Sequence, residues 1–277
     1  MEQYHSNDNQ IVLNVNIGVL SVGNLLKGHT VLITGATGGI GSCIAKQCAK
    51  QGANVILLGR NQNKLNELCK KLGNKVAHIC SDLINISSFH NLLQIADNFF
   101  GNVDCLVNNA GISLHEGDFM NVTEDSWDMQ FITNLKIPFF LTQSWLRYYR
   151  NKNMQSGRII MVASDTCGMG STIPYGLSKV GIASFTHGLA KKVITEGIRV
   201  NAIAPGTTLT AMTDDLTHGN VCRNTTQGKR VLFPEEIGQL CTLLLSDLTT
   251  CVSGNIFGCS EANICFNNID REQETNP

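Results

Sequence analysis

The chain has 277 residues, 43% of them hydrophobic and 16% charged, with a net charge of -1. That length and apolar content suffice for one α/β domain with a full core. The balanced charge, with no block of one sign, excludes a general electrostatic attraction to nucleic acid or to an anionic membrane.

An N-terminal extension, 1–27, comes first. Ile11, Leu13, Val15 and Ile17 alternate with other residues, which suits a strand-like segment packed on the domain. Asn14, Asn16, Gly18, Gly23 and Asn24 interrupt the apolar stretch, and no Lys or Arg precedes it. It therefore reads neither as a signal peptide nor as a membrane span. From His29 onward, apolar runs at 30–34, 54–58, 75–80, 103–107, 158–163, 199–204 and 255–259 read as strands. Most are continuously apolar, as strands buried on both faces must be. Helical patterns at 40–51, 64–72, 87–99, 124–150, 175–195 and 234–246 lie between them. Strict alternation predicts βαβ units with right-handed crossovers: an α/β, doubly wound, Rossmann-type parallel sheet of about seven strands, helices on both faces. A single domain is expected over 28–265, with a polar tail at 266–277. The long polar stretch 207–233 reads as a functional loop. The 11 cysteines form no C-x-x-C pair, and no His/Cys cluster has zinc spacing. They read as buried, reduced thiols of a cytoplasmic protein, Cys80 and Cys105 in apolar runs among them, and no metal is called for.

Thr34-Gly35-Ala36-Thr37-Gly38-Gly39-Ile40-Gly41 follows the first buried strand and opens a helix. Free N–H groups at a helix N-terminus and the positive end of its dipole make a phosphate site, and glycines let the backbone approach. The spacing T-G-x-x-x-G-I-G resembles that of the short-chain dehydrogenase/reductase family. The resemblance runs from about Lys27 to Gly258, and its pattern is most similar to 3-oxoacyl-thioester reductase-like members. It implies further cofactor residues. Asp82, beside Leu83 after the third strand, would bind the adenine amino group. Asn108-Asn109-Ala110-Gly111 would hold the central sheet beside the cofactor, and Pro205, Gly206, Thr208 and Thr210 would fix the nicotinamide carboxamide. The second strand ends in Gly59-Arg60 with no acid, and Arg60 can pair with a 2′-phosphate, so NADP(H) is favoured over NAD(H). The competing reading of Arg60 is a solvated loop cation, and no Lys or Arg stands at Thr37 or Gly38.

Tyr175-Gly176-Leu177-Ser178-Lys179 places a phenol and an ammonium at i and i+4, on one helix face. A nearby ammonium favours the phenolate and should lower the phenol's pKa, so that Tyr175 can give or take a proton. The resemblance implies a catalytic set of Asn134, Ser164, Tyr175 and Lys179. Ser164 would orient the substrate oxygen, Asn134 would hold a water linking Lys179 to solvent, and Lys179 and Tyr175 would also contact the cofactor. Ser164 precedes Tyr175 by 11 positions, a slightly short spacing. His29, His115 and His187 read as structural, and Trp127, Phe139, Phe140 and Trp145 as core or subunit interface. The expected partner is a small carbonyl or alcohol substrate, carrier-linked if the 3-oxoacyl pattern holds. A homodimer or homotetramer would form through the long helices. Sugars, polyols and cyclic ketones stay open as substrates. A non-catalytic dinucleotide sensor or scaffold stays open as a role. Arg230 and Pro234-Glu235-Glu236-Ile237 fit the 3-oxoacyl pattern, whereas Glu261-Ala262 stands where many members carry a Gly-Gly pair.

Overall fold

A computed structural model describes residues 2–5, 12–15, 18, 20–217, 220–223 and 226–262. The polar tail expected at 266–277 lies outside the described residues, as does part of the N-terminal extension. Within that extension β1 (Glu2–His5) and β2 (Val12–Val15) pair antiparallel, Glu2 opposite Val15, in a two-stranded sheet of their own.

The main sheet is built from β3 (Thr30–Thr34), β4 (Asn54–Gly59), β5 (Val76–Cys80), β6 (Cys105–Asn108), β7 (Gly157–Val162), β8 (Ile198–Pro205) and β9 (Ile256–Cys259). All are parallel, in the order β5-β4-β3-β6-β7-β8-β9. The helices between them are α1 (Gly39–Lys50), α2 (Gln62–Leu72), α3 (Phe89–Phe100), α4 (Glu124–Phe131), α5 (Ile137–Asn151), α6 (Pro174–Val193), α7 (Asp214–Thr217) and α8 (Pro234–Leu245). Successive strand residues point to opposite faces. Leu32, Ile56 and Leu106 accordingly pack with Phe89, Trp145 and Ile182 of α3, α5 and α6. Val31, Ile33, Val55 and Leu57 pack with Ile44, Leu65 and Ile237 of α1, α2 and α8. Each such fully buried aliphatic side chain contributes about 1.5–3 kcal/mol, which is why the strands carry apolar residues at successive positions and not only at every second one. The strand order reverses between β3 and β6, and in such sheets ligands bind at the carboxyl ends of the strands flanking that point.

Two expectations are corrected. The pattern at 124–150 is not one helix. A π-helical turn, Ile132–Lys136, separates α4 from α5. Pro138 stands just inside α5, where its ring would crowd the carbonyl four residues back in a regular helix, and the wider turn relieves that conflict. The cysteines are not uniformly buried: Cys48, Cys105 and Cys241 are, but Cys80 ends the edge strand β5 and is exposed.

At the amino ends of the strands, Arg158 is buried and pairs with Asp104 (3.2 Å) and Asp247, and His29 pairs with Asp104. His29, Asp104 and Cys105 offer ligand atoms within 4.8 Å of one another. The Arg158 guanidinium already supplies the positive charge those groups attract.

Candidate active site

The glycine turn is fixed by steric need. Gly35 has φ +62°, and a Cβ there would lie 2.9 Å from Ala110 Cα. A Cβ on Gly41 would lie 2.4 Å from the Gly35 carbonyl oxygen and 2.6 Å from Asn109 Nδ2. Only glycine lets β3, α1 and the end of β6 come this close. The Asn-Asn-Ala-Gly segment ties the same corner. Thr34 Oγ1 accepts from the N–H groups of Asn109 and Ala110, both at 3.0 Å. Asn109 Nδ2 donates to the Thr34 carbonyl (2.9 Å), and Asn108 Nδ2 donates to Thr142 Oγ1 (3.0 Å). Gly38 caps α1 with no side-chain hydrogen bond, and the first turn carries no acid. Amide donors and the helix dipole are thus left facing a cleft, as an anionic pyrophosphate requires.

That cleft, of about 540 Å³, gathers most of the expected residues: Gly38–Gly41, Asn109, Gly111, Ser164, Tyr175, Lys179, Pro205, Gly206, Thr208 and Thr210. Gly35 and Ala110 stand behind it as its frame. Thr37 Oγ1 lies 3.6 Å from the Cβ position of Gly59, toward the end of β4. Arg60 and Asp82 are exposed beyond that end, and Leu83 is buried beneath. None of these four lines the cleft itself. Thr210 presses on the glycine turn, its Cγ2 being 2.5 Å from where a Gly39 Cβ would stand.

Ser164 follows β7 and is almost fully buried. Lys179 is buried one helical turn beyond Tyr175, and its Nζ donates to the Val162 carbonyl at 2.9 Å. That ammonium lies 5.7 Å from the centre of the Tyr175 ring. Burial depresses Lys179 to about 8. The Tyr175 phenol is held above its usual range. Burial is the largest cause, the Ser164 hydroxyl opposes it as a hydrogen-bond partner, and Asp165 and Cys167 add to the rise. The expected lowering by Lys179 is therefore not what the site shows. Burial sets the direction instead, and burial also weakens the ammonium's own hold on its proton. Asn134, in the π turn, accepts from Ile112 N–H (2.8 Å) and donates to the Ile112 carbonyl (2.9 Å) and Ser178 Oγ (3.2 Å). It thus braces the loop after β6 against α6. Its Oδ1 and Lys179 Nζ lie 3.3 and 3.4 Å from one point above Gly111.

The described part of the segment 207–233 borders the cleft through Thr207, Thr208, Thr210–Thr213 and Leu216. It contains α7, and its base is closed by Leu209 N–H to Leu232 O and Leu232 N–H to Thr207 O, both 2.8 Å. Arg230 grips Glu236 through two hydrogen bonds (2.8 and 2.9 Å) and pairs with Glu261. Three features escaped the sequence reading. His115, read as structural, lines the cleft, and its Nε2 meets the Met212 carbonyl at 3.0 Å, linking the loop after β6 to the segment after β8. Met212 and Leu216 line the cleft. So does Asp165, beside Ser164. The only signal for these was their place in long irregular segments following strand ends.

Strand order, glycine turn and the Ser164, Tyr175 and Lys179 cluster define a Rossmann-type oxidoreductase. The chain belongs to the short-chain dehydrogenase family, whose model matches residues 29–220. It is 37% identical over 195 residues to nodulation protein G of Rhizobium meliloti, covering 70% of this chain and 78% of that protein. It is 33% identical over 233 residues to the 3-oxoacyl-(acyl-carrier-protein) reductase of Vibrio cholerae, covering 83% of this chain and 94% of that one. A short-chain dehydrogenase/reductase of Brucella melitensis, described as a glucose/ribitol dehydrogenase, superposes with a TM-score of 0.80 at 26% identity. That match covers 88% of this chain and 99% of that one. The protein is therefore an oxidoreductase that uses a nicotinamide cofactor and interconverts CH–OH and C=O groups of a small-molecule substrate. Among the described residues no helix is long and apolar enough to cross a membrane.

Proposed function

We propose that the protein is an NADP(H)-dependent carbonyl reductase and alcohol dehydrogenase with Tyr175 as its proton-transferring group and a 3-oxoacyl thioester, carrier-linked, as its substrate type. The observation that carries this reading is the convergence of Ser164, Tyr175 and Lys179 with the glycine turn and the Pro205–Thr210 segment on one cleft. The cofactor supplies or accepts hydride at its nicotinamide ring. Tyr175 gives its proton to the forming alkoxide or takes one from an alcohol. Ser164 donates a hydrogen bond to the substrate oxygen, where negative charge develops. Lys179 positions Tyr175 and the nucleotide ribose, and Asn134 braces α6 so that both stay in register. Thr208 and Thr210 hold the carboxamide, and Asp82 the adenine. Arg60, exposed at the end of β4 with no acid beside it, suits a 2′-phosphate. The 3-oxoacyl reading draws on the Vibrio cholerae relative and on the Arg230–Glu236 pair.

The apolar groove formed by Phe131, Ile132, Leu135, Phe139, Phe140 and Phe185 on α4, α5 and α6 supports self-association as a homodimer or homotetramer. Ten described cysteines are free thiols, which suits the reducing cytoplasm. The test combines binding and turnover. NADPH should quench or shift protein fluorescence at lower concentration than NADH. Tyr175→Phe should bind NADPH as the wild type does, yet lose at least about 100-fold in reduction of 3-oxoacyl thioesters. Undiminished turnover by Tyr175→Phe removes Tyr175 from the chemistry, and tighter NADH binding reverses the cofactor assignment.

A further inference from the structure

Arg230 joins two parts of the chain. Its guanidinium grips Glu236, in the first turn of α8, through two hydrogen bonds (2.8 and 2.9 Å) and pairs as well with Glu261, two residues beyond β9. All three side chains are half-buried, so salt screens these pairs less than it would surface ones. Glu236 also accepts from the Phe233 N–H (2.9 Å), and it alone secures Arg230 to α8. What Glu261 adds is the link to β9.

Glu261 holds its place against a backbone cost. Its φ is +49°, and that of Ala262 is +63°. In this left-handed region an L side chain crowds its own backbone, whereas glycine does not. Such a conformation persists where surrounding contacts fix it. Gly228 completes the fit, because a Cβ on it would overlap the Glu261 carboxylate.

The two parts that Arg230 joins flank the segment Gly206–Thr210. On one side the Gly206 N–H donates to the Cys259 carbonyl at 2.8 Å, two residues before Glu261. On the other, Leu209 N–H donates to the Leu232 carbonyl and Leu232 N–H to the Thr207 carbonyl, both at 2.8 Å, two residues after Arg230. Gly206, Thr207, Thr208 and Thr210, held between these flanks, line the cleft. One guanidinium thus closes a frame around them.

We propose that Glu261 is a positioning residue that, through Arg230, holds the segment Gly206–Thr210 in place and so sets how tightly the nicotinamide end of the cofactor is bound. This rests on the reading that the segment holds the nicotinamide carboxamide.

The test compares a reduced cofactor with its nicotinamide-free counterpart by calorimetric titration of the full chain. The pair is NADPH and 2′-phospho-ADP-ribose or, where NADH binds more tightly, NADH and ADP-ribose. Glu261→Gly removes the carboxylate and relieves the backbone, and Glu261→Ala removes it and keeps the strain. Each should weaken the reduced cofactor about fivefold and leave its counterpart within about twofold of the wild type. The loss should vanish when Glu261→Gly is made in an Arg230→Met background, because the effect runs through that guanidinium. Thermal melts show which variants fold. If one Glu261 variant does not, the other decides, and Arg230→Lys can stand in for Arg230→Met. A lowered Tm with both ligands bound as in the wild type makes the pair a structural clasp and overturns the proposal. So does a loss shared equally by both ligands, or one that persists without Arg230. Thr208→Val and Thr210→Val examine the underlying reading. If they leave the nicotinamide contribution unchanged, the segment does not hold the carboxamide and that reading fails. If they reduce it while the Glu261 variants do not, only the role of Glu261 fails.

Discussion

Lys179, which the proposed function sets beside the phenol, carries a stability cost of its own. Its folded value of about 8 lies below the ordinary 10.5. Between those values the unfolded chain binds one more proton than the native state, so this group makes stability rise with pH across pH 8 to 10.5. Below pH 8 the native state carries the full cost of a buried ammonium. Lys179→Met should therefore be more stable than the wild type at pH 7, by on the order of 1–2 kcal/mol after allowing for the lost bond to Val162. The gap should close by pH 10, and turnover should fall. Thermal melts at the two pH values check this, and a gap that does not change with pH would contradict it. At this scale much of the site is legible in the sequence. Tyr175 and Lys179 must share a helix face, and Gly35 and Gly41 must sit where no Cβ fits. The influence of Asp165 is not legible, because adjacency to Ser164 does not say that a carboxylate is turned inward. The height of the Tyr175 pKa is likewise set by burial, which a four-residue spacing cannot report.

Among the elements, runs of mostly apolar residues locate the strands to within a residue or two, because burial on both faces leaves few polar positions to blur them. The two edge strands are the exceptions: in β5 Ala77, His78 and Ile79 are half-buried and Cys80 is exposed, and in β9 Ile256, Phe257 and Cys259 are half-buried and Gly258 is exposed. The region 124–150 keeps helical periodicity straight through the π turn, so the pattern hides the one extra residue that directs Asn134 toward Ile112 and α6. The helix faces differ more than their sequence suggests. Trp145 is fully buried, its Nε1 donating to the Val103 carbonyl at 2.9 Å, whereas Trp127 stacks on Phe131 and is 40% exposed. Phe139 is 41% exposed in the groove on α5, where an apolar face invites a partner surface. If the proposed self-association uses this face, Phe139→Asp should leave the helix content intact and lower the sedimentation coefficient to that of a monomer. A wild type that already sediments as a monomer, or a coefficient unchanged by the substitution, would contradict assembly through this groove.

At the scale of the whole molecule, the sheet brings segments distant in sequence to one edge. The glycine turn after β3, the Asn-Asn-Ala-Gly segment after β6, Ser164 after β7 and Pro205-Gly206 at the end of β8 all stand at carboxyl strand ends, where an open parallel sheet leaves its crevice. Alternation of strands and helices is enough to predict that convergence. It does not predict that Arg230 reaches both Glu236 and Glu261, nor that His115, Met212 and Leu216 line the cleft. On the proposed function, this one crevice holds a reduced nicotinamide beside the Tyr175 hydroxyl. A crystal structure of the protein with NADPH decides the point. The pyrophosphate should lie on the Gly38–Gly41 amides, with the C4 carbon of the ring facing Tyr175 and Ser164. A nucleotide bound outside the crevice, or a Tyr175 hydroxyl screened from the ring, would contradict it.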